Sequence, residues 1–235
     1  MSASSLQTIF VVCEGATEET FVSQILAPAF YPLGKNLITQ TINTSSKQKG
    51  GALTYDRVKN HLLKTLKGNN KPVVTTLIDL YGLDTDFPGY SKPGQLTLDQ
   101  RLQNLNRALQ QDIIQAAGCR PEQFLPYIQP YEFEALLFSD ITILTDHNSA
   151  WKRSASALKS ILQNVNSPEH INDRPETKPA ALLDFHLKNP GFRKTLDGIP
   201  IAEKIMLTQI RTKCAYFNRW LTDLEAIFPF RLQPV

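Results

Sequence analysis

The spacing of hydrophobic residues changes character along this chain, and the change divides it into two regions. Thr8 to Cys13 (TIFVVC) is an unbroken β-branched and aromatic run, the pattern of a strand buried on both faces. It stops at Glu14-Gly15. Thr17 is then placed to N-cap a helix with Glu18 and Glu19 in its first turn, where acids suit the helix dipole. Asn36 to Asn43 predicts a second strand, and Ser45 to Gly51 is a polar, glycine-containing loop. Thr54 to Lys67 carries Val58, Leu62, Leu63 and Leu66 on one helical face. Val73 to Ile78 (VVTTLI) predicts another buried strand, which ends on Asp79 and opens a long loop rich in Pro, Gly and Asp. Thr97 and Gln100 have capping-box spacing, and the helix they open repeats Leu98, Leu102, Leu105, Leu109 and Ile113 before stopping at Gly118. Phe124 to Gln129 completes the set as a third inner strand.

From Tyr131 onward the strand-like runs disappear. Helical spacing is predicted over Glu132–Ser139, Ala155–Asn164, Lys178–Lys188 and Arg211–Ile227. The reading is an α/β fold, with a mostly parallel sheet flanked by helices over residues 1–140. Residues 141–235 form a helical cap or extension packed on that core.

Composition narrows the setting. The 235 residues are 42% hydrophobic, enough to bury a sizeable core, and no apolar run reaches membrane-spanning length. Met1 to Gln7 lacks the basic-then-apolar layout of a signal peptide. Three widely separated cysteines, Cys13, Cys119 and Cys214, fit free thiols in a reducing compartment better than a disulfide framework or a zinc site. The expectation is a cytoplasmic protein without a membrane partner. A net charge of +3 permits a polyanionic partner without requiring one, because the basic residues are scattered. No phosphate-binding GxxxxGK[ST] loop, GxGxxG turn, GxSxG elbow or HExxH motif occurs among the residues.

The candidate chemistry lies at the strand ends. Ligands of an open parallel sheet sit beyond the carboxyl ends of its strands, and two of the predicted strands end directly on acids, Glu14 and Asp79. Hard carboxylate oxygens at one rim suit magnesium, whose remaining positions are filled by water and substrate phosphate. Acids also follow strands simply because the chain is surfacing there, so either residue alone carries little. The pair carries more, since Asp84 and Asp86 follow in a loop too long for a plain connector. Gly15 keeps side-chain bulk away from Glu14 and leaves the backbone open to a metal or phosphate. Glu134 is expected at the boundary of core and cap, in a functional or a buried hydrogen-bonding role, with Glu132 as second choice. The four histidines lack ligand spacing, and Tyr216, Phe217 and Trp220 are spaced as a helix core face.

VVCEGATEETFV (Val11 to Val22) resembles the opening motif of Toprim domains, and LIDLYGLDTDFPGY (Leu77 to Tyr90) resembles their second, aspartate-bearing motif. Together with YEFEALLFSD (Tyr131 to Asp140), NDRPETKPA (Asn172 to Ala180) and CAYFNRWLTDLE (Cys214 to Glu225), nearly the whole chain resembles the bacterial group labelled domain of unknown function 4276. The resemblance implies a Toprim-like fold and metal-dependent phosphodiester chemistry related to the nucleases of the OLD class, with Mg²⁺ or Mn²⁺ as cofactor. Glu14 then matches the first acid, a metal ligand or general base, and Asp79 the first aspartate of the DxD motif. Tyr81 stands where its second aspartate belongs, so Asp84 or Asp86 would have to supply the missing ligand. Glu134 joins the catalytic set, and Lys178, with Arg174, is the candidate cation for the phosphate.

The chain is too short for the gate of a topoisomerase and lacks the zinc module of a primase. A nuclease acting on DNA or RNA is the leading expectation, with a role in prokaryotic antiphage defence implied by the resemblance. The alternative is a weakly active or inactive Toprim-like subunit working with an ATPase partner. Hydrolysis of a small phosphorylated metabolite stays open, as does self-association into a homo-oligomer.

Overall fold

The structure is a computed structural model, and it describes residues 6–42, 53–68, 72–171 and 174–227. The polar loop at 45–51 and Asn172 and Asp173 of the resembling segment lie outside the described residues.

Five strands form the sheet: β1 (Gln7–Cys13), β2 (Lys35–Thr41), β3 (Val73–Asp79), β4 (Phe124–Leu125) and β5 (Ile128–Gln129). All pairings are parallel. The order is β2-β1-β3-β4, with β5 also paired to β3. Every residue of β3 is buried, as the unbroken apolar run of this central strand requires. The predicted third strand exists as two short pieces. Pro126 interrupts it because proline has no N–H for the ladder. Thr76 bridges the break, donating its hydroxyl to the Tyr127 carbonyl at 2.8 Å and accepting the Tyr127 N–H at 2.8 Å.

Successive strand residues point to opposite faces, and each face has its own core. On one, Ile9, Val11 and Cys13 of β1 and Val73 and Leu77 of β3 pack with the helix that follows β1. That helix starts as α1 (Ala16–Phe21), passes through a π-helical stretch (Val22–Leu26) and continues as α2 (Ala27–Phe30). On the other face, Val12, Val74 and Ile78 pack under α3 (Tyr55–Leu66) and α4 (Leu98–Ala117). The Thr97–Gln100 capping box has both its hydrogen bonds, and Gly118 ends α4 in the left-handed conformation, φ 64°. Gly15, not Thr17, is the N-cap of α1, and the Thr17 side chain is buried.

The C-terminal region is helical, with α5 (Ile141–Asp146), α6 (Ala155–Gln163), α7 (Pro179–His186), α8 (Lys194–Ile205), α9 (Leu207–Lys213) and α10 (Ala215–Glu225). It shares the first core, where Leu144, Ile201, Phe217 and Trp220 join the β1 and β3 side chains. Trp220 stacks on Tyr127 at 4.5 Å and donates its indole N–H to the Thr75 hydroxyl at 2.8 Å, which ties α10 to the central strand. The predicted helix from Arg211 to Ile227 is two helices broken at Cys214. α5 and α8 are additions to the elements that the sequence pattern predicts. Cys13, Cys119 and Cys214 are free thiols. Among the described residues, no helix is long and apolar enough to cross a membrane.

Candidate functional site

The strand order makes β1 and β3 neighbours whose following crossovers leave in opposite directions, and a crevice opens beyond their carboxyl ends at such a switch point. Glu14 and Asp79 stand at this crevice, one at the end of each strand. The Glu14 N–H donates to the Leu77 carbonyl at 3.3 Å, and its Oε2 accepts the Asp79 N–H at 3.2 Å. Two acids 65 residues apart are therefore joined through one hydrogen bond. Asp79 is buried, with Oδ1 accepting the Phe133 N–H at 3.0 Å.

Phe133 opens a 3-10 helix (Phe133–Ser139) in which every residue is buried, so the segment predicted as an amphipathic helix is a core element. Tyr131 leads into it with φ 55°, a left-handed backbone that a bulky residue adopts only when its surroundings enforce it. The Tyr131 carbonyl accepts the Tyr81 N–H at 2.8 Å, which fastens this turn to the end of β3. The turn directs both Glu132 and Glu134 inward, with 7% and 2% of their surface exposed. A regular helix would leave one of the two glutamates exposed; the irregular backbone buries both.

Two residues absent from the expected set complete the cluster. Glu18, in the first turn of α1, is 4% exposed. A Cβ on Gly15 would lie 3.2 Å from Glu18 Oε2, so the space beside that glycine serves a carboxylate of the protein itself. Lys194, the first residue of α8, extends its ammonium into the middle. Its Nζ lies 3.0 Å from Glu18 Oε1, 3.3 Å from Glu134 Oε2 and 3.8 Å from Asp79 Oδ2. Asp197 fixes the turn that presents it, by accepting the Arg193 N–H at 2.8 Å through Oδ2 and pairing with His147 at 3.4 Å through Oδ1.

Four carboxylates thus face one ammonium, a formal excess of three negative charges when all are ionised. Burial pushes the carboxyls of Glu14 and Glu134 up from their ordinary values, and Asp79 further still, with Lys194 opposing the rise at each. For Lys194, burial acts downward, but Asp79, Glu134 and Glu18 together hold it above the ordinary lysine value.

A second ion pair flanks the first. Lys178 Nζ is 2.8 Å from Glu132 Oε1 and 4.0 Å from the centre of the Tyr81 ring. Glu132 Oε2 accepts the Ala180 N–H at 2.9 Å, at the start of α7. Lys178 is therefore engaged by Glu132 and by the Tyr81 ring. Arg174 accepts the N–H groups of Thr177 and Lys178 on its carbonyl and so shapes the turn before α7.

Glu14, Asp79 and Glu134 are brought together; Asp84 and Asp86 are engaged elsewhere. Both Asp86 oxygens accept the Tyr55 N–H at 3.1 Å, at the N-terminus of α3, and Asp84 Oδ1 accepts the Thr85 hydroxyl at 3.4 Å. The carboxylates that accompany Glu14 and Asp79 come from α1 and the 3-10 helix rather than from the loop. The acidic first turn of α1 is visible in the sequence, but its direction is not. Nothing local marks Lys194, because α8 contains Gly198 and Pro200 and lacks a clean amphipathic repeat.

The donor chemistry suits a hard divalent cation: clustered carboxylate oxygens, with a negative excess when all are ionised. Oε2 of Glu134 is buried and faces Lys194 at 3.3 Å outside hydrogen-bond geometry, so charge alone balances it. Among the described residues, no three acids, histidines or cysteines form a ready-made ligand set, and Lys194 lies among the acids.

A family model described as Domain of unknown function (DUF4276) matches residues 13–225. No curated protein and no solved structure matches the chain.

Proposed function

The chain belongs to the DUF4276 family, and from the rim it builds we propose that it is a Mg²⁺- or Mn²⁺-dependent phosphodiester hydrolase acting on DNA or RNA. One observation carries the reading: the gathering of Glu14, Asp79, Glu18 and Glu134 around Lys194 at the switch point of a parallel sheet. The Toprim resemblance of Val11 to Val22 and Leu77 to Tyr90 points the same way.

In this reading Glu14 and Asp79 hold the divalent ion, with Glu18 or Glu134 in the place first expected of Asp84 or Asp86. The bound ion would supply charge neutralisation at the scissile phosphate and an acidified water. The protein's own groups do the rest. Glu14 is only half-buried, so it faces the solvent from which a water arrives, and its Oε2 is oriented by the Asp79 N–H. A carboxylate raised by burial is a better proton acceptor than an exposed one, so Glu14 suits the general-base role as the alternative to that of a ligand. The Phe133 N–H fixes Asp79 Oδ1 and leaves Oδ2 turned towards Lys194. Lys178, already paired with Glu132, supports the wall of the site, not the phosphate.

The test is divalent-dependent cleavage of single- and double-stranded DNA and RNA, with nucleotides as the small-molecule arm. Glu14→Ala and Asp79→Asn should each lower cleavage at least 100-fold with an unchanged circular dichroism spectrum. Activity that survives both substitutions refutes the assignment.

A second reading follows from Lys194 standing among the acids. A cluster neutralised from within suits a non-catalytic subunit that works with an ATPase partner. Calorimetry that detects no Mg²⁺ or Mn²⁺ binding, with and without such a partner, would favour it.

A further inference from the structure

Lys194 pairs with three of the four clustered acids, so any metal entering the cluster meets its ammonium first. We propose that Lys194 is a resident counter-cation that a divalent ion displaces, so that ammonium and metal occupy the acid cluster in alternation. The inference rests on the reading of this rim as a divalent-metal site.

The geometry supports exchange over sharing. Nζ lies within 3.0–3.8 Å of Glu18, Glu134 and Asp79, in the space that a metal bound to the same oxygens would need. An ammonium and a divalent ion held at such separations in a buried site repel strongly. The side chain of Lys194 reaches solvent: it is 35% exposed, whereas those of Glu18 and Glu134 are 5% and 3% exposed. The ammonium sits on a four-carbon stem at the first residue of α8, and that helix start is held independently by Asp197 on the Arg193 N–H and on His147. Lys194 can therefore swing outward without loosening α8. Its fit in the cluster is also incomplete, since Glu134 Oε2 meets it at 3.3 Å outside hydrogen-bond geometry.

The arrangement answers a problem that buried acids create. Four carboxylates without a cation would repel one another, and removing one partner of a buried pair is strongly destabilising. Lys194 keeps the fold intact before the metal arrives, and metal binding must overcome the ion pairs it displaces. Metal affinity is lowered accordingly.

Mn²⁺ binding, followed by electron paramagnetic resonance on the full chain, tests this with Lys194→Gln and Lys194→Arg. The neutral variant should bind Mn²⁺ at least tenfold more tightly than the wild type, and the charge-conserving variant within about threefold of it. The wild type provides a readout independent of variant folding. Amine-reactive labelling quantified by mass spectrometry should rise at Lys194 when Mn²⁺ is added, with Lys178 unchanged. Equal or weaker Mn²⁺ binding by folded Lys194→Gln, or Lys194 labelling that stays level while Mn²⁺ binds, overturns the exchange and leaves the metal site standing. Mn²⁺ binding to neither the wild type nor the folded variant overturns both.

Discussion

Glu169 offers the sharpest test of how burial and helix capping compete in this fold. It lies in a short 3-10 turn (Pro168–His170), fully buried, and its two oxygens accept the Tyr216 N–H at 3.0 Å and the Phe217 N–H at 2.9 Å in the first turn of α10. Those bonds and the helix dipole favour the ionised form, but burial outweighs them and pushes its carboxyl up to about 7. A carboxyl raised in the folded state above its ordinary 4.5 makes the folded protein the better proton binder between those values. Its contribution to stability is therefore complete below about pH 4.5 and declines as the pH rises towards 7, by about 3 kcal/mol. Glu169→Gln keeps one acceptor oxygen and turns the other into a donor facing an N–H, which costs about 1–3 kcal/mol. The variant lacks the titration. Urea unfolding should find it less stable than the wild type near pH 5, with the gap closing or reversing near pH 8. A gap that widens with pH would refute the reasoning, because the helix N–H groups would then dominate burial.

Two further substitutions probe the frame around the site. Lys178→Met should cost about 2–4 kcal/mol by leaving Glu132 buried without its cation, and Glu132→Gln in the same chain should restore part of that loss in denaturant unfolding. Equal stability of the single and double variants would show that the pair is not coupled. Gly89 has φ 78°, and a Cβ there would lie 2.6 Å from the Asn104 carbonyl oxygen of α4; Gly89→Ala should lower stability by more than about 1 kcal/mol. An unchanged thermal midpoint would mean that the loop relaxes away from α4.

The local elements are legible in the sequence because their determinants are local. Unbroken apolar runs set β1 and β3, regular leucine spacing sets α3 and α4, and Thr97 with Gln100 and Gly118 marks the ends of α4. The same runs end on Glu14 and Asp79, so the spacing of residues alone names two members of the acid cluster. The segment around Glu132 and Glu134 reads as an ordinary helix in the sequence and is not one, because a left-handed Tyr131 and full burial leave no periodic trace.

Which charges meet is decided by tertiary structure. Parallel pairing of β1 with β3 brings Glu14 to Asp79, the first turn of α1 adds Glu18, and α8 delivers Lys194 from more than a hundred residues away. Asp84 and Asp86 have the right chemistry and the right neighbourhood in sequence, but the open N-terminus of α3 competes for a carboxylate, and Asp86 takes its Tyr55 N–H. Sequence alone thus determined that β1 and β3 form and that two acids close them. The fold determined which cation those acids share, because a buried charge is balanced by whatever the topology brings within a few ångströms, and that distance is not written in the spacing of residues along the chain.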